Sequence, residues 1–213
     1  MKRNIFLGLL ALLALALSFA GCYAQSSPVL ASLEGSAIAN ESQNEPLNTS
    51  GALSLSDLKE MQLYENAEYG FSMSYPSAWI VQEADPNEER IVVGFLAPGE
   101  DLNNSAIYIY VQVEDMASDQ KVTLEQYNQA VLSNLKSVVP NFLVLAESDI
   151  SIGGQPGHAI AYNLNSEGIV FRVLQAWTIY GERAYIITYN APLDSYEAFS
   201  GDASKIIGSL KAT

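Results

Sequence analysis

His158 is the single histidine among 213 residues, and histidine is the side chain whose ordinary pKa suits proton transfer near neutral pH. Hydrolytic work would require a nucleophile and an orienting carboxylate around it. The sequence has no G-x-S-x-G elbow, no Walker loop and no G-x-G-x-x-G after a strand. His158 shares strand phase with Ile160, Tyr162 and Leu164, the phase of a packed or rim residue. A hydrolase using His158 with an acidic neighbour is the competing reading.

Acidic residues offer a second chemistry. Asp85, Asn87 and Glu89 fall in an expected hairpin loop, at the D-x-N-x-E spacing that opens a calcium loop. Arg90 and Leu96 stand at the sixth and twelfth places, where such a loop needs Gly and a bidentate Glu. Further acids gather at Glu100-Asp101, at Glu114-Asp115 with Asp119, and at Asp194 with Glu197. Solvated loop charge is the plain reading. Weak calcium or manganese binding is the chemical one, and no other cofactor is expected.

Cys22 is the only cysteine, which excludes an internal disulfide framework and a Cys-based zinc site. It follows Lys2, Arg3 and an uncharged run, IFLGLLALLALALSFAG, from Ile5 to Gly21. A basic start before an apolar core is an export signal, and the run is shorter than the roughly 20 residues of a spanning helix. Ala20-Gly21-Cys22 resembles a lipoprotein signal, with Cys22 lipidated as the mature N-terminus. Phe19 stands where that pattern prefers Leu. Ordinary cleavage after Ala24, with Cys22 and Ala24 as the small flanking residues, is the other route.

With 24 acidic and 10 basic residues the net charge is −14; loss of residues 1–21 leaves 8 basic against 24 acidic, or −16. Clustered Lys and Arg are what phosphate contacts need, so nucleic acid is not an expected partner. An anionic membrane surface repels such a chain, and membrane attachment is expected at the N-terminus through lipid.

The chain divides at 1–21 (signal), 22–62 (flexible polar linker) and 63–213 (domain). The linker is dominated by Ser, Asn, Ala, Glu and Gly, a composition that buries too little apolar surface to order itself. Asn40 and Asn48 sit in glycosylation sequons within it, and Asn103 in a third. In the domain, Ala106–Glu114 alternates apolar and polar residues, the pattern of a half-buried strand. Strands are also expected at 71–75, 79–83, 90–97, 142–152, 158–164, 169–180 and 183–189. Turn residues between the later ones point to an antiparallel meander. Thr123–Gln126 reads as a capping box before a helical stripe of Leu124, Tyr127, Val131, Leu135 and Val138, ended by Pro140. A second helix begins at another cap-like quartet, Asp194–Glu197, with Tyr196, Phe199, Ala203, Ile206 and Leu210 on its apolar face. The class is α+β, with one mainly antiparallel sheet covered by helices. Tyr108 and Tyr110 are expected to pack beneath a helix; a partner surface is the alternative.

From Tyr69 the chain reads YGFSMSYPSAW, with Tyr69, Gly70, Phe71, Tyr75, Pro76 and Trp79 as its signature. This resembles the opening motif of the PsbP-like family. Gly154-Gln155-Pro156-Gly157 before a strand, the hairpin at Gly181 and the closing helix agree in order. The resemblance covers about residues 64–210 and implies an α-β-α sandwich with a central antiparallel sheet. Plant and cyanobacterial members are extrinsic subunits of photosystem II, other relatives are exported lipoproteins, and a distant branch binds a small GTPase. This acidic chain lacks the basic surface that docks plant PsbP. The common thread is binding without catalysis. The expectation is therefore a lipid-anchored, extracytoplasmic accessory module with a protein partner, or else a secreted one. The alternative is a small-ligand or divalent-metal carrier using the acidic loops.

Overall fold

Three two-residue loops set the architecture. Gly153-Gly154 has φ of 57° and 87°, Glu167-Gly168 has 52° and 86°, and Gly181 opens the third at 60°. Left-handed residues at such positions give the turns whose twist matches paired strands. In the computed structural model, which describes residues 61–84, 91–100, 105–116 and 121–213, these loops join four successive strands: β6 (Val144–Ile152), β7 (Gln155–Ser166), β8 (Ile169–Tyr180) and β9 (Arg183–Pro192). The expected Gly-rich turn over 154–157 is therefore a turn at 153–154. Gln155, Pro156 and Gly157 already belong to β7.

The preceding strands are β1 (Met61–Asn66), β2 (Phe71–Pro76), β3 (Ile80–Glu83), β4 (Ile91–Leu96) and β5 (Tyr108–Asp115). Helix α1 (Leu124–Val138) lies between β5 and β6; α2 (Tyr196–Ser209) and the short β10 (Lys211–Ala212) follow β9. Every pairing is antiparallel. The strands form two sheets, ordered β1-β2-β10 and β3-β4-β5-β9-β8-β7-β6. The single expected sheet is thus corrected to two. Strands β1 and β2 pair with each other and with no strand of the large sheet, and the two-residue β10 joins them from far along the sequence by pairing with β2. Strand β1 begins two residues before the expected domain boundary.

Both faces of the large sheet are covered. One core holds Ile109, Val111, Leu174, Ala176, Ile187 and Tyr189 together with β2 and the α2 residues Ala203, Ile206 and Ile207. The other holds Tyr108, Tyr110, Ile160, Tyr162, Val173 and Trp177 with Tyr127, Val131 and Leu135 of α1. Strand β5 is consequently buried from Tyr108 to Val113 rather than half-buried. Its alternation separates two cores, not core from solvent, and Tyr108 and Tyr110 do pack on the α1 side.

The caps differ. Thr123 closes the expected box, its hydroxyl accepting from the Gln126 N–H at 3.2 Å while Gln126 Oε1 accepts from the Thr123 N–H at 2.9 Å. Ser195 precedes α2 at φ −105°, ψ −9° and makes no side-chain cap. Its hydroxyl turns instead to Asp194 Oδ1 at 3.2 Å, because an αR backbone does not aim the side chain at the next turn's amides.

Glycine is required most at 153. A Cβ there would lie 1.9 Å from the Leu210 carbonyl oxygen. At Gly168 nothing stands within 4 Å, so only the left-handed backbone, about 1–2 kcal/mol, opposes a side chain. Gly153→Ala is expected to destabilise the fold by clearly more than Gly168→Ala in equilibrium denaturation; equal costs would contradict the close approach of β10 to this turn.

Candidate functional site

One end of the large sheet carries an open cleft of about 510 Å³, lined by Asp115, Met116, Tyr180, Arg183, Tyr185 and Thr213. The β8–β9 hairpin and the last residue of β5 form it. Asp115 and Arg183 are direct partners in the β5–β9 ladder, and Arg183 Nε donates to Asp115 Oδ1 at 2.9 Å. Both side chains are substantially exposed, so the pair itself stabilises by about 0–1 kcal/mol. Arg183 does more by its other contacts. Its Nη1 donates to the Glu68 carbonyl at 3.2 Å, and its guanidinium lies 5.8 Å from the Tyr69 ring centroid. The Tyr185 hydroxyl donates to the Tyr69 carbonyl at 2.9 Å. The Thr213 N–H donates to the Gly70 carbonyl at 2.8 Å.

The family-like motif is therefore a clasp. Gly70 takes φ 63°, and a Cβ there would sit 3.0 Å from the Thr213 carbonyl oxygen. Phe71 enters the core against Tyr185, with centroids 5.9 Å apart. Tyr75 packs on Phe95 at 5.2 Å. The Pro76 carbonyl accepts from the Trp79 N–H at 2.9 Å. Trp79 then packs edge-on against Phe199 and donates its indole N–H to Asp202 at 3.2 Å. Six residues chosen for their spacing tie the small sheet to α2 and to the cleft wall.

His158 occupies the expected phase. Its Nδ1 is 2.8 Å from Asp149 Oδ1, and its ring centroid is 5.4 Å from that of Trp177. Trp177 is fully buried and donates to Asn128 of α1 at 2.7 Å. Asp149, His158 and Trp177 are successive partners across β6, β7 and β8. Among the described residues no hydroxyl or thiol is hydrogen-bonded to this pair. It is a His–carboxylate contact on a rim, with an aromatic wall.

The acidic candidates scatter. Glu114 accepts from the Tyr127 hydroxyl at 2.8 Å. Glu100 accepts from the backbone of Ala106 and Ile107 and so ties its own loop. Asp194 is taken by Ser195. Among the described residues no three His, Cys, Asp or Glu side chains converge in a way that could hold a metal ion. Cys22, Asn40, Asn48, Asp85, Asn87, Glu89, Asp101, Asn103 and Asp119 lie outside the described residues. Sequence reasoning missed Arg183. Its signal was a lone cation beside a Gly-led turn, in a chain with few basic residues.

Tyrosines line the α1 face. Tyr110, Thr188 and Gln175 follow one another across β5, β9 and β8. Tyr108 and Asn190 form the neighbouring row, which runs on through Val173 to Tyr162. Burial pushes the Tyr110 phenol up to about 12, the Thr188 hydroxyl opposing. Burial likewise raises Tyr108 and Tyr162 and lifts Tyr64 and Tyr196 to about 12. These groups are neutral at physiological pH and present no charge to a ligand.

A PsbP-like protein family model matches residues 31–212. The solution structure of cyanobacterial PsbP from Synechocystis superposes with a TM-score of 0.54 at 14% identity, covering 78% of this chain and 100% of that one. LpqN of Mycobacterium tuberculosis, described as involved in cell envelope biogenesis, gives 0.55 at 15%, over 75% and 97%. A Bacteroides thetaiotaomicron protein gives 0.50 at 20% identity, over 72% of this chain and 49% of its own. At these identities the likeness is one of fold. Comparison with curated proteins returns no match.

The tyrosines set an alkaline limit. A phenol whose folded pKa lies above its unfolded value near 10 stabilises fully below pH 10, and that contribution is lost as pH rises through the folded value. Stability is expected to fall from pH 10 toward about 12, read as a declining urea midpoint. Phenolate absorbance from the buried tyrosines should rise late and steeply, with unfolding. A smooth titration of all tyrosines near pH 10 in the folded protein would contradict the burial.

Proposed function

The chain belongs to the PsbP-like protein family, and from that membership we propose that it works as an exported, lipid-tethered, non-catalytic binding module on the extracytoplasmic face of a membrane. Its architecture reads as an α-β-α arrangement, with α1 on one face of the large sheet and α2 with the small sheet on the other. The observation that carries the reading is the state of the polar groups at the open cleft. Arg183 and Tyr185 fasten the large sheet to the β1–β2 turn of the small one through the Glu68 and Tyr69 carbonyls, and Asp115 in turn holds Arg183. Groups so committed present a fixed surface for recognition, whereas catalysis needs a group free to exchange a proton or a bond.

Three further points support the tether and its side of the membrane. The leader ends in small residues before Cys22, and two acyl chains anchor stably where one does not. Among the described residues no helix is long and apolar enough to cross a membrane, so attachment falls to the N-terminal segment. LpqN, of similar fold, is described as involved in cell envelope biogenesis, and an accessory role in such a process suits a domain of this class.

Cys22→Ser tests the reading. In a bacterial host that processes lipoproteins, the parent chain is expected in the membrane fraction with acyl mass on Cys22. The variant is expected to shift to the soluble extracytoplasmic fraction, processed after Ala24. An unmodified Cys22 at the start of a soluble product would remove the tether.

A further inference from the structure

Strand β6 closes one side of the seven-stranded sheet. It is nine residues long, and its residues alternate in exposure from Val144 to Ser151. Only β7 pairs with it. Beyond that ladder, the backbone contact nearest its end is the Gly153 N–H to the Gly208 carbonyl at 3.4 Å. Among the described residues, the outward N–H and C=O groups from 144 to 151 have no backbone partner. Such a row is a template for another strand. Edges are usually blunted by Lys, Pro, a bulge or brevity; β6 contains neither residue, and its one register shift lies at its start, between Val144 and Ala146. Leu143 and Leu145 at its start are 67% and 41% exposed.

We infer that the β6 edge is an addition site for an extended segment of a partner protein in which apolar and basic residues alternate. This rests on the binding-module reading and names the partner's chemistry. Glu147 and Asp149 are exposed on the α1 face of β6, opposite Ile160 and His158 of β7. An added strand places alternate side chains beside them, and opposite-charge neighbours across a ladder are stabilising. Lys or Arg belongs at those places. On the other face Ile150 packs against the first core, and apolar residues of the added strand extend that surface.

The charge pattern selects against two other occupants. In a second copy, antiparallel pairing about Ser148 brings Glu147 beside Asp149 of its mate, in a chain of net charge −14; like charges opposite one another are destabilising. The chain's own N-terminal segment carries no Lys or Arg between Arg3 and Lys59, so it supplies no counter-charge.

The test uses the full chain in detergent and three blocked ten-residue peptides: alternating Val and Lys, the same residues in two blocks, and alternating Val and Glu. The alternating Val–Lys peptide is expected to bind about tenfold more tightly than either control, the scale of two cross-strand charge pairs. Hydrogen exchange should slow at outward amides between 144 and 151. Glu147→Lys, a change at an exposed side chain, is expected to weaken that peptide by a similar factor with the thermal midpoint unchanged. Equal binding of the alternating and block peptides overturns the site, as does protection elsewhere or indifference to Glu147→Lys. If a partner crosslinked from native membranes maps away from β6, the edge fails while the binding-module reading stands.

Discussion

A sheet covered on both faces leaves its central strands no solvent side. Residues of β5, β8 and β9 pack alternately toward α2 with the small sheet and toward α1. This one constraint explains much of the composition. Charged residues are 16% of the chain and hydrophobic ones 49%, because strands that would be half polar in a one-sided sheet here face two cores. It also explains the tyrosines. Tyr supplies large apolar area with one polar atom, and under α1 its neutral hydroxyl is tolerated where a charge would not be.

Doubly covered sheets offer recognition only at their margins. The strand ends and edges are the places where polar groups meet water, and the described chemistry lies there: the Arg183–Asp115 cleft at one end, and Asp149 with His158 beside the β6 edge. The family-like motif is spent on docking. Tyr69, Gly70 and Trp79 hold the small sheet and α2 in place, so the segment that identifies the fold carries little information about what is bound. Family membership and function are written in different residues of this chain.

What was legible in the sequence was local. The Thr123–Gln126 box is four consecutive residues, and its bonds form as the spacing implies. The equivalent quartet at Asp194 does not cap, since Ser195 holds an αR backbone set by the tight turn after Pro192, whose carbonyl accepts from the Ser195 N–H at 2.9 Å. The phase of His158 was readable, but its partner depended on where the hairpin turns. Centring the loop on Gly153-Gly154 fixes every pair from Ile152–Gln155 outward to Asp149–His158; centring it one or two residues later does not. The second sheet was not readable. Its third strand is two residues long and pairs with one about 140 positions earlier, and only packing selects that contact. Arg183 escaped notice for the same reason, because its value lies in Glu68, Tyr69 and Asp115, all remote in sequence.

Net charge and edge geometry bear on one another. A long open strand endangers any protein at high local concentration, since copies can extend each other's sheets. Covering the edge with a helix would remove the danger and also the surface. Here the surface is kept and its side chains are acidic where two copies would meet. Glu147 and Asp149 lie on the face where β6 meets His158, and the chain around them is strongly negative. Repulsion of this kind falls with distance and salt, so it acts most on close pairing between like chains and least on a partner that brings the opposite sign. The same two carboxylates that oppose self-association therefore define what the edge accepts.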